Sequence, residues 1–204
     1  MIRKTRSQRS QRRQRPPRSE GKRVLVVTEG RLTEPQYVER LDSYLRNKGL
    51  VSVVKTVPVG KDPYAVVEKC VSLRDEASSD GREFDFCVCL VDVDSHTRLE
   101  QACTRAKGEG ILLLISNVKF EVWLRWHVED KRSALTSEQL DRLVEQHQLL
   151  SGKALANSFP IGNHERACVV ARQADPALTS CRKGPDPSSA MPILVDLLKH
   201  GDVQ

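Results

Sequence analysis

The chain contains no run of about 18 consecutive apolar residues, the length that a membrane-spanning helix requires. The arginines near its N-terminus are not followed by an apolar stretch, so the sequence predicts no secretory signal. No internal repeat is visible along the chain. Together these absences favour a cytoplasmic protein that does not insert into a membrane.

Cysteine patterns typical of zinc sites are also missing. None of the six cysteines forms a CxxC pair, and no cysteine–histidine cluster has zinc-ligand spacing. Cys87 and Cys89 alternate with apolar residues in a strand-like run, where free cysteine behaves as a small core hydrophobe. The sequence therefore predicts reduced, structural thiols in a reducing compartment.

The composition is that of a globular protein, with 39% hydrophobic and 29% charged residues among 204. This length is enough for one domain with a sizeable core and a small appendage. The net charge of +6 is unevenly distributed, because residues 1–22 hold nine basic residues and one acidic residue. That segment carries +8 and leaves −2 for the rest of the chain.

The basic segment 1–22 is rich in Arg, Gln, Ser and Pro and has almost nothing apolar. Such a composition cannot offset the entropy lost on ordering, so we expect a disordered tail. Its charge would attract nucleic-acid phosphates in a sequence-independent, salt-sensitive way. A solubilising or partner-docking extension explains the same composition, and the sequence leaves both roles open.

Short β-branched runs alternate with helical patterns from Arg23 onward. Thr33 and Gln36 form a capping-box pattern at the start of the first predicted helix. The alternation implies βαβ crossovers and an α/β fold with a parallel sheet of about four strands flanked by helices. The predicted strands cover residues 23–28, 51–57, 85–91 and 111–116.

Beyond residue 119 the pattern becomes helical. Helices are predicted over residues 119–128, 137–150, 163–174 and 189–200, with a loop over 179–189. The predicted organisation is therefore a tail, an α/β core and a helical extension packed on that core. These three parts cover residues 1–22, 23–128 and 129–204.

Polar residues follow three of the predicted strands. Ligands of an open parallel sheet bind beyond the carboxyl ends of its strands, so these residues should meet at one edge. Asp92 and Asp94 are two apart, so they point the same way while the chain is extended. The residues at the strand ends are Glu29 with Gly30, Asp92 with Asp94, and Asn117 followed by Glu121.

The carboxylates among these residues predict a metal site. Glu29, Asp92 and Asp94 would repel one another unless a hard cation lay between them. Mg²⁺, or Mn²⁺ in its place, fits because it takes one or two protein carboxylates and leaves its other positions to water and phosphate. A metal held in this way can polarise a phosphodiester and lower the pKa of an attacking water.

Two further residues are candidate catalytic groups. Glu121 stands between Phe120 and Trp123, where a carboxylate needs a partner, and is predicted as a secondary ligand or orienting group. The alternative is an ordinary ion pair with Arg125 one helical turn on. His96 is close enough to Asp94 in sequence to take part in proton transfer, although a histidine in such a place is more often a surface or capping residue.

Candidate phosphate-binding residues lie at the same strand ends. Gly30 would allow close approach of backbone or phosphate. Lys61 follows a glycine at a helix start and could meet phosphate together with the helix N-terminus, or be a solvated lysine. Asn117 and Lys119 complete the predicted set.

Three motifs resemble the RloB-like proteins. Residues 27–37 (VTEGRLTEPQY) resemble the TEGxxTEPxYF-type opening of that family. Residues 92–96 (DVDSH) resemble its DxDxH segment, and residues 116–124 (SNVKFEVWL) resemble its SNPxFExWL segment, with Val118 at the usual proline. The motifs occur in order over roughly residues 24–128, with weaker similarity beyond.

The resemblance implies a Toprim-like fold, the catalytic core of topoisomerases, primases and OLD-type nucleases. In that superfamily a strand-one glutamate and a strand-three DxD bind Mg²⁺, and Glu29, Asp92 and Asp94 match those positions. RloB-like proteins are often encoded beside an ATPase and are linked to anti-phage defence, which implies an ATPase partner. The sequence leaves open whether copies of the chain form a homo-oligomer.

The expected function is metal-dependent cleavage of nucleic acid, either RNA such as tRNA or DNA. A non-catalytic sensor subunit that binds metal or nucleotide is the first alternative. The second is a HAD-type phosphatase, because residues 91–95 (VDVDS) resemble that family's nucleophile segment. HAD proteins generally carry this segment on the first strand, whereas here it follows the third.

Overall fold

The computed structural model describes residues 21–47, 52–60, 62–93 and 98–202. Its strands are β1 (Lys22–Thr28), β2 (Ser52–Pro58), β3 (Phe86–Asp92), β4 (Leu112–Asn117), β5 (Leu150–Ser151), β6 (Ala154–Leu155) and β7 (Ser188–Ser189). Its α-helices are α1 (Thr33–Asn47), α2 (Pro63–Ser79), α3 (Leu99–Gly108), α4 (Glu121–Arg125), α5 (Ser137–Gln146), α6 (His164–Ala174) and α7 (Met191–His200). Residues 1–20 of the basic segment lie outside the described residues, whereas Lys22, predicted to end the tail, is the first residue of β1.

Five strands form the main sheet in the order β2-β1-β3-β4-β7. The first four are mutually parallel, which confirms the predicted α/β fold. β7 is antiparallel to β4, with Ser189 opposite Ser116 and Ser188 opposite Asn117. This fifth strand was not predicted, because two polar residues carry no strand periodicity and fall in the expected loop.

The sheet is covered on both faces, so its central strands are buried throughout. In β1, Val24 and Val26 pack into the core beneath α1 and α4 to α7. Leu25 and Val27 point to the other face and pack under α2 and α3. This two-sided burial explains why the strand reads as a continuous apolar run rather than an alternating one.

The helical extension shares the core instead of standing apart. α7 buries Met191, Leu194 and Leu197 in the same cluster as β1 and α1. α5 ends at Gln146, four residues before its predicted end at 150. The chain reverses at Gln148, which has a positive φ of 53°, and enters the short β5–β6 hairpin.

A buried polar contact joins α1 to the end of α4. The Tyr37 hydroxyl lies 3.2 Å from His127 Nε2, and His127 Nδ1 lies 3.0 Å from the Trp123 carbonyl oxygen. Because a carbonyl only accepts hydrogen bonds, Nδ1 carries the proton and the Tyr37 hydroxyl donates to Nε2. Burial lowers the pKa of His127 to about 3, so the ring is neutral in the folded protein.

Within the described ranges, no helix has the length and apolar character needed to cross a membrane. The cysteines are free thiols, and Cys70, Cys87 and Cys89 lie buried in the core under α2 and α3. Contact with Cys87 lowers the pKa of the Cys70 thiol, but contact with Cys89 and burial together raise it more. Contact with Cys70 and burial raise the pKa of the Cys87 thiol, so both groups stay protonated.

Candidate functional site

A cavity of about 730 Å³ opens at the carboxyl ends of β1 and β3. It lies where α1 and α4 begin, at the edge of the sheet that binds ligands in open α/β folds. Six carboxylate side chains line it, together with the cations Arg31 and Lys153. The carboxylates are Glu29, Glu34, Asp62, Asp92, Glu121 and Asp141.

Glu29 and Asp92 are brought together at the centre of the sheet. The Glu29 amide donates to the Leu90 carbonyl at 2.9 Å, which continues the β1–β3 pairing by one residue. Glu29 Oε2 lies 3.3 Å from the Asp92 amide nitrogen, so the side chain reaches across to the end of β3. The end of an apolar strand thus fixes each carboxylate at the rim of the cavity.

Glu34 is a member of this cluster to which the sequence assigned no role. It lies in the first turn of α1, is only 8% exposed, and accepts a hydrogen bond from the Gly30 amide at 3.1 Å. Burial raises the pKa of the Glu34 carboxyl, and the negative charges of Glu121 and Glu29 raise it further. Hydrogen bonds from the Glu34 and Gly30 amides act in the opposite direction. The three glutamates are therefore close enough to sense one another's charge.

Gly30 makes the position of Glu34 feasible. A Cβ atom added to Gly30 would lie 1.9 Å from Glu34 Oε2, so the Glu34 carboxylate would have to move. The prediction from the sequence was that Gly30 allows close approach of backbone or phosphate. In the structure, the group that approaches it is the carboxylate of Glu34.

The signal that could have identified Glu34 is its distance from the strand end. α1 begins five residues after the end of β1, so the first turn of the helix must lie at the same rim as Glu29. A glutamate in a first turn is usually explained by its favourable interaction with the helix dipole. The interaction with the helix dipole does not account for a second property of Glu34, which is its burial among other carboxylates.

Other predicted site residues have different surroundings. The Asn117 amide nitrogen donates to the carbonyl oxygens of Gly184 and Pro185, at 3.0 and 3.1 Å, and so holds the loop before β7. Lys119 forms an ion pair with Asp141 at the edge of the cavity. Three predicted residues lie outside the described parts of the chain: Lys61, Asp94 and His96.

The donor atoms of the cavity fit a hard cation. Carboxylate oxygens are the ligands that Mg²⁺ prefers, and one or two of them commonly suffice beside water and substrate phosphate. Glu29 and Asp92 would supply two such ligands. Among the described residues, no group of three or more His, Cys, Asp or Glu side chains is arranged to hold one ion. Asp94, the third predicted ligand, lies outside the described residues.

Comparison with protein families decides which group the chain belongs to. A family model described as RloB-like protein matches residues 24–198. The chain belongs to the RloB-like protein family. This confirms the resemblance seen in the three motifs, and the match extends from β1 almost to the end of α7. No curated protein and no solved structure matches the chain significantly.

Proposed function

We propose that this RloB-like protein is a divalent-metal-dependent nuclease of the Toprim type. One observation carries the proposal: Glu29, Glu34, Asp92 and Glu121 come from four separate segments and line one cavity at the carboxyl edge of a parallel sheet. The substrate would be nucleic acid, either RNA such as tRNA or DNA.

The charge of the cavity supports a metal cofactor. Among the described residues that line the cavity, six carry carboxylates and two carry positive charge, and a divalent cation would favour the approach of a phosphodiester to such a surface. Glu29 and Asp92 would hold Mg²⁺ or Mn²⁺, with Asp94 as the third ligand by its match to the family motif. When bound, the metal polarises the phosphodiester and lowers the pKa of water.

The remaining glutamates have distinct roles in this proposal. Burial and neighbouring charge raise the pKa of Glu34, which makes it a stronger base than an exposed carboxylate. We assign to it the acceptance of a proton from the attacking water. Glu121, at the first position of α4, would orient that water or serve as a secondary ligand.

Anti-phage defence with an ATPase partner belongs to the same proposal, and its support is the family assignment. A nuclease without control would damage the nucleic acid of its own cell. Control by an ATPase would restrict cleavage of nucleic acid to cells under phage attack.

The test is cleavage of tRNA and of plasmid DNA by the pure protein with Mg²⁺, Mn²⁺ or EDTA. We expect metal-dependent cleavage that Asp92→Asn and Glu29→Gln each abolish. Asp80→Asn is the matched control, because Asp80 is exposed and caps α2 at its C-terminal end, away from the cavity. If the protein alone is inactive, the assay is repeated with an ATPase of the kind often encoded beside RloB-like proteins.

The same experiment separates the alternatives. Metal binding by calorimetry without cleavage in any combination would indicate a sensor subunit. Release of phosphate from a small phosphomonoester, lost in Asp92→Asn, would indicate a HAD-type phosphatase.

A further inference from the structure

One wall of the cavity is the tip of the β5–β6 hairpin. Ser151 pairs with Ala154, so only Gly152 and Lys153 form the turn. Gly152 has a φ of +61°, as the first position of a tight two-residue hairpin turn requires. Lys153 therefore sits at the apex of a short hairpin and lines the cavity.

Three side chains of α1 hold this hairpin in place. The Thr33 hydroxyl donates to the Lys153 carbonyl at 2.8 Å, and the Leu155 amide donates to Gln36 Oε1 at 2.8 Å. The Arg40 guanidinium donates to the carbonyl oxygens of Leu155 and Ala156. Because α1 also carries Glu34, the backbone of Lys153 is fixed relative to the carboxylate cluster.

Arg31 occupies a different wall, near the end of β2. Its side chain lies over Gly60, where an added Cβ atom would be 2.1 Å from Arg31 Nε. Gly60 lacks a side chain and has a φ of +67°, and its amide donates to the Glu29 carbonyl at 2.8 Å. Both Arg31 and Gly60 line the cavity, so the Arg31 side chain lies at its rim.

The ion pairing of Arg31 and Lys153 among the described residues differs from that of Lys119. Within the part of the chain that the structure describes, Arg31 and Lys153 form no ion pair, although six carboxylates line the same cavity. Lys119, by contrast, forms an ion pair with Asp141 at the same cavity. Two unpaired cations on separate walls of an acidic cavity are suited to an anion that spans it.

We propose that Arg31 and Lys153 bind phosphodiester groups of a nucleic-acid strand and lay that strand across the carboxylate cluster. This proposal rests on the proposed nuclease function and adds the residues that position its substrate. A strand fits better than a mononucleotide, because one backbone can present a separate phosphate to the cation on each wall. The guanidinium can bind a phosphate through two parallel hydrogen bonds, and the ammonium binds as a point charge.

The test measures binding of labelled single-stranded RNA and DNA by fluorescence anisotropy at several salt concentrations. All binding variants are made in full-length Asp92→Asn protein with Mg²⁺, so that cleavage does not consume the probe. We expect Arg31→Gln and Lys153→Gln each to weaken binding about tenfold. Each should also reduce the salt dependence of log K by about 0.7, the value for one phosphate contact on a single strand.

Matched variants distinguish phosphate binding from a structural effect. Lys153→Arg keeps the charge and should restore affinity and salt dependence. Lys107→Gln and Arg82→Gln change exposed cations near the C-terminal ends of α3 and α2, at the opposite edge of the sheet, and should alter neither quantity. Thermal melting of every variant checks that the hairpin wall remains folded.

The outcomes separate this inference from the nuclease proposal. If native protein cleaves nucleic acid but neither substitution changes affinity or salt dependence, the binding role is wrong and the nuclease stands. If native protein never cleaves but both substitutions weaken strand binding, the binding role stands and the nuclease proposal fails. A mononucleotide that competes as well as the strand would overturn the choice of a strand.

Discussion

At the level of single residues, Gly30 and Glu34 form a contact on which the cavity depends. The carboxylate of Glu34 lies where a side chain at position 30 would have to be. Since Glu34 is only 8% exposed, tightly packed neighbours leave its carboxylate little room to move aside. The absence of a side chain at Gly30 therefore determines where one of the cavity's negative charges lies.

We expect Gly30→Ala to reduce cleavage roughly tenfold to hundredfold, because misplacement of a catalytic group by about 1 Å has effects of that size. The overpacked contact should also lower the free energy of unfolding by about 1–3 kcal/mol. Gly108→Ala is the control, because a Cβ atom there meets nothing within 4 Å. Native cleavage rates in Gly30→Ala would contradict this role for Glu34.

The buried His127 makes a second prediction at this scale, on the pH dependence of stability. Its pKa is lowered from 6.5 to about 3 in the folded protein, so the unfolded chain binds a proton in this range and the folded chain does not. The free energy of unfolding should therefore decrease as the pH falls from about 6.5 towards 3. The contribution of one such group approaches about 1.4 kcal/mol per pH unit.

Urea denaturation between pH 4 and 7 measures this effect. His127→Gln removes the titrating group and should show a shallower decrease than the native protein. His200→Gln, an exposed position at the end of α7, should keep the native slope. Equal slopes in native protein and His127→Gln would show that the histidine is not buried as a neutral ring.

Site residues at the ends of strands could be predicted from the sequence. Site residues whose role depends on tertiary contacts could not. Glu29 and Asp92 directly follow buried strands, so topology alone brings them together. The partners of Asn117 are carbonyls more than 60 residues away in the chain, which no local pattern reveals. Glu34 needed knowledge of what surrounds the first turn of α1.

At the level of elements, the β5–β6 hairpin depends on α1 for its position. It has only two residues in each strand, and an isolated hairpin of that size is at best marginally stable in water. Side-chain hydrogen bonds from α1 replace the sheet neighbours that it lacks. The Arg40 guanidinium contributes two of them, so it is the natural place to weaken the wall.

We expect Arg40→Gln to speed hydrogen exchange of the Leu155 amide by about tenfold, because local opening loses charged hydrogen bonds. Native-state exchange followed by NMR measures the effect. Arg166→Gln is the matched control, because Arg166 makes the same kind of contact with the Val128 carbonyl elsewhere in the fold. Unchanged exchange at Leu155 in Arg40→Gln would mean that Thr33 and Gln36 alone hold the hairpin.

The long helices and strands could be predicted from the sequence, whereas the shortest strands could not. β1, β3 and β4 were recognised from apolar runs of six or seven residues, and α1 from its capping pattern. β5, β6 and β7 have two residues each, too few for any periodicity, and exist because of what they pack against. Tertiary contacts therefore decided the elements that sequence patterns missed.

At the level of the whole molecule, the predicted core and the helical extension behave as one packing unit. Residues of β1, α1, α4 and α7 belong to the same buried cluster, and β7 completes the sheet beside β4. The helices of this extension were expected, but its three short strands were not. The molecule should consequently unfold in a single cooperative step.

We expect Leu194→Ala in α7 to lower the free energy of unfolding by about 2–5 kcal/mol, because the side chain is fully buried. Val169→Ala in α6 is the control, since that side chain is 55% exposed and should change stability by at most about 0.5 kcal/mol. Urea denaturation is followed by circular dichroism and by fluorescence of the buried Trp123 and Trp126. Separate transitions for the two probes would show that the halves fold independently.

The attachment of two cavity features to a single helix has a geometric consequence. α1 carries Glu34 at its start and binds the hairpin through Thr33, Gln36 and Arg40, so we expect Glu34 and the hairpin to move together. The distance between Glu34 and the hairpin should therefore stay the same for substrates of different width. Any widening for a bulkier backbone has to come from the opposing side, where Arg31 rests on Gly60 without a hydrogen bond to it.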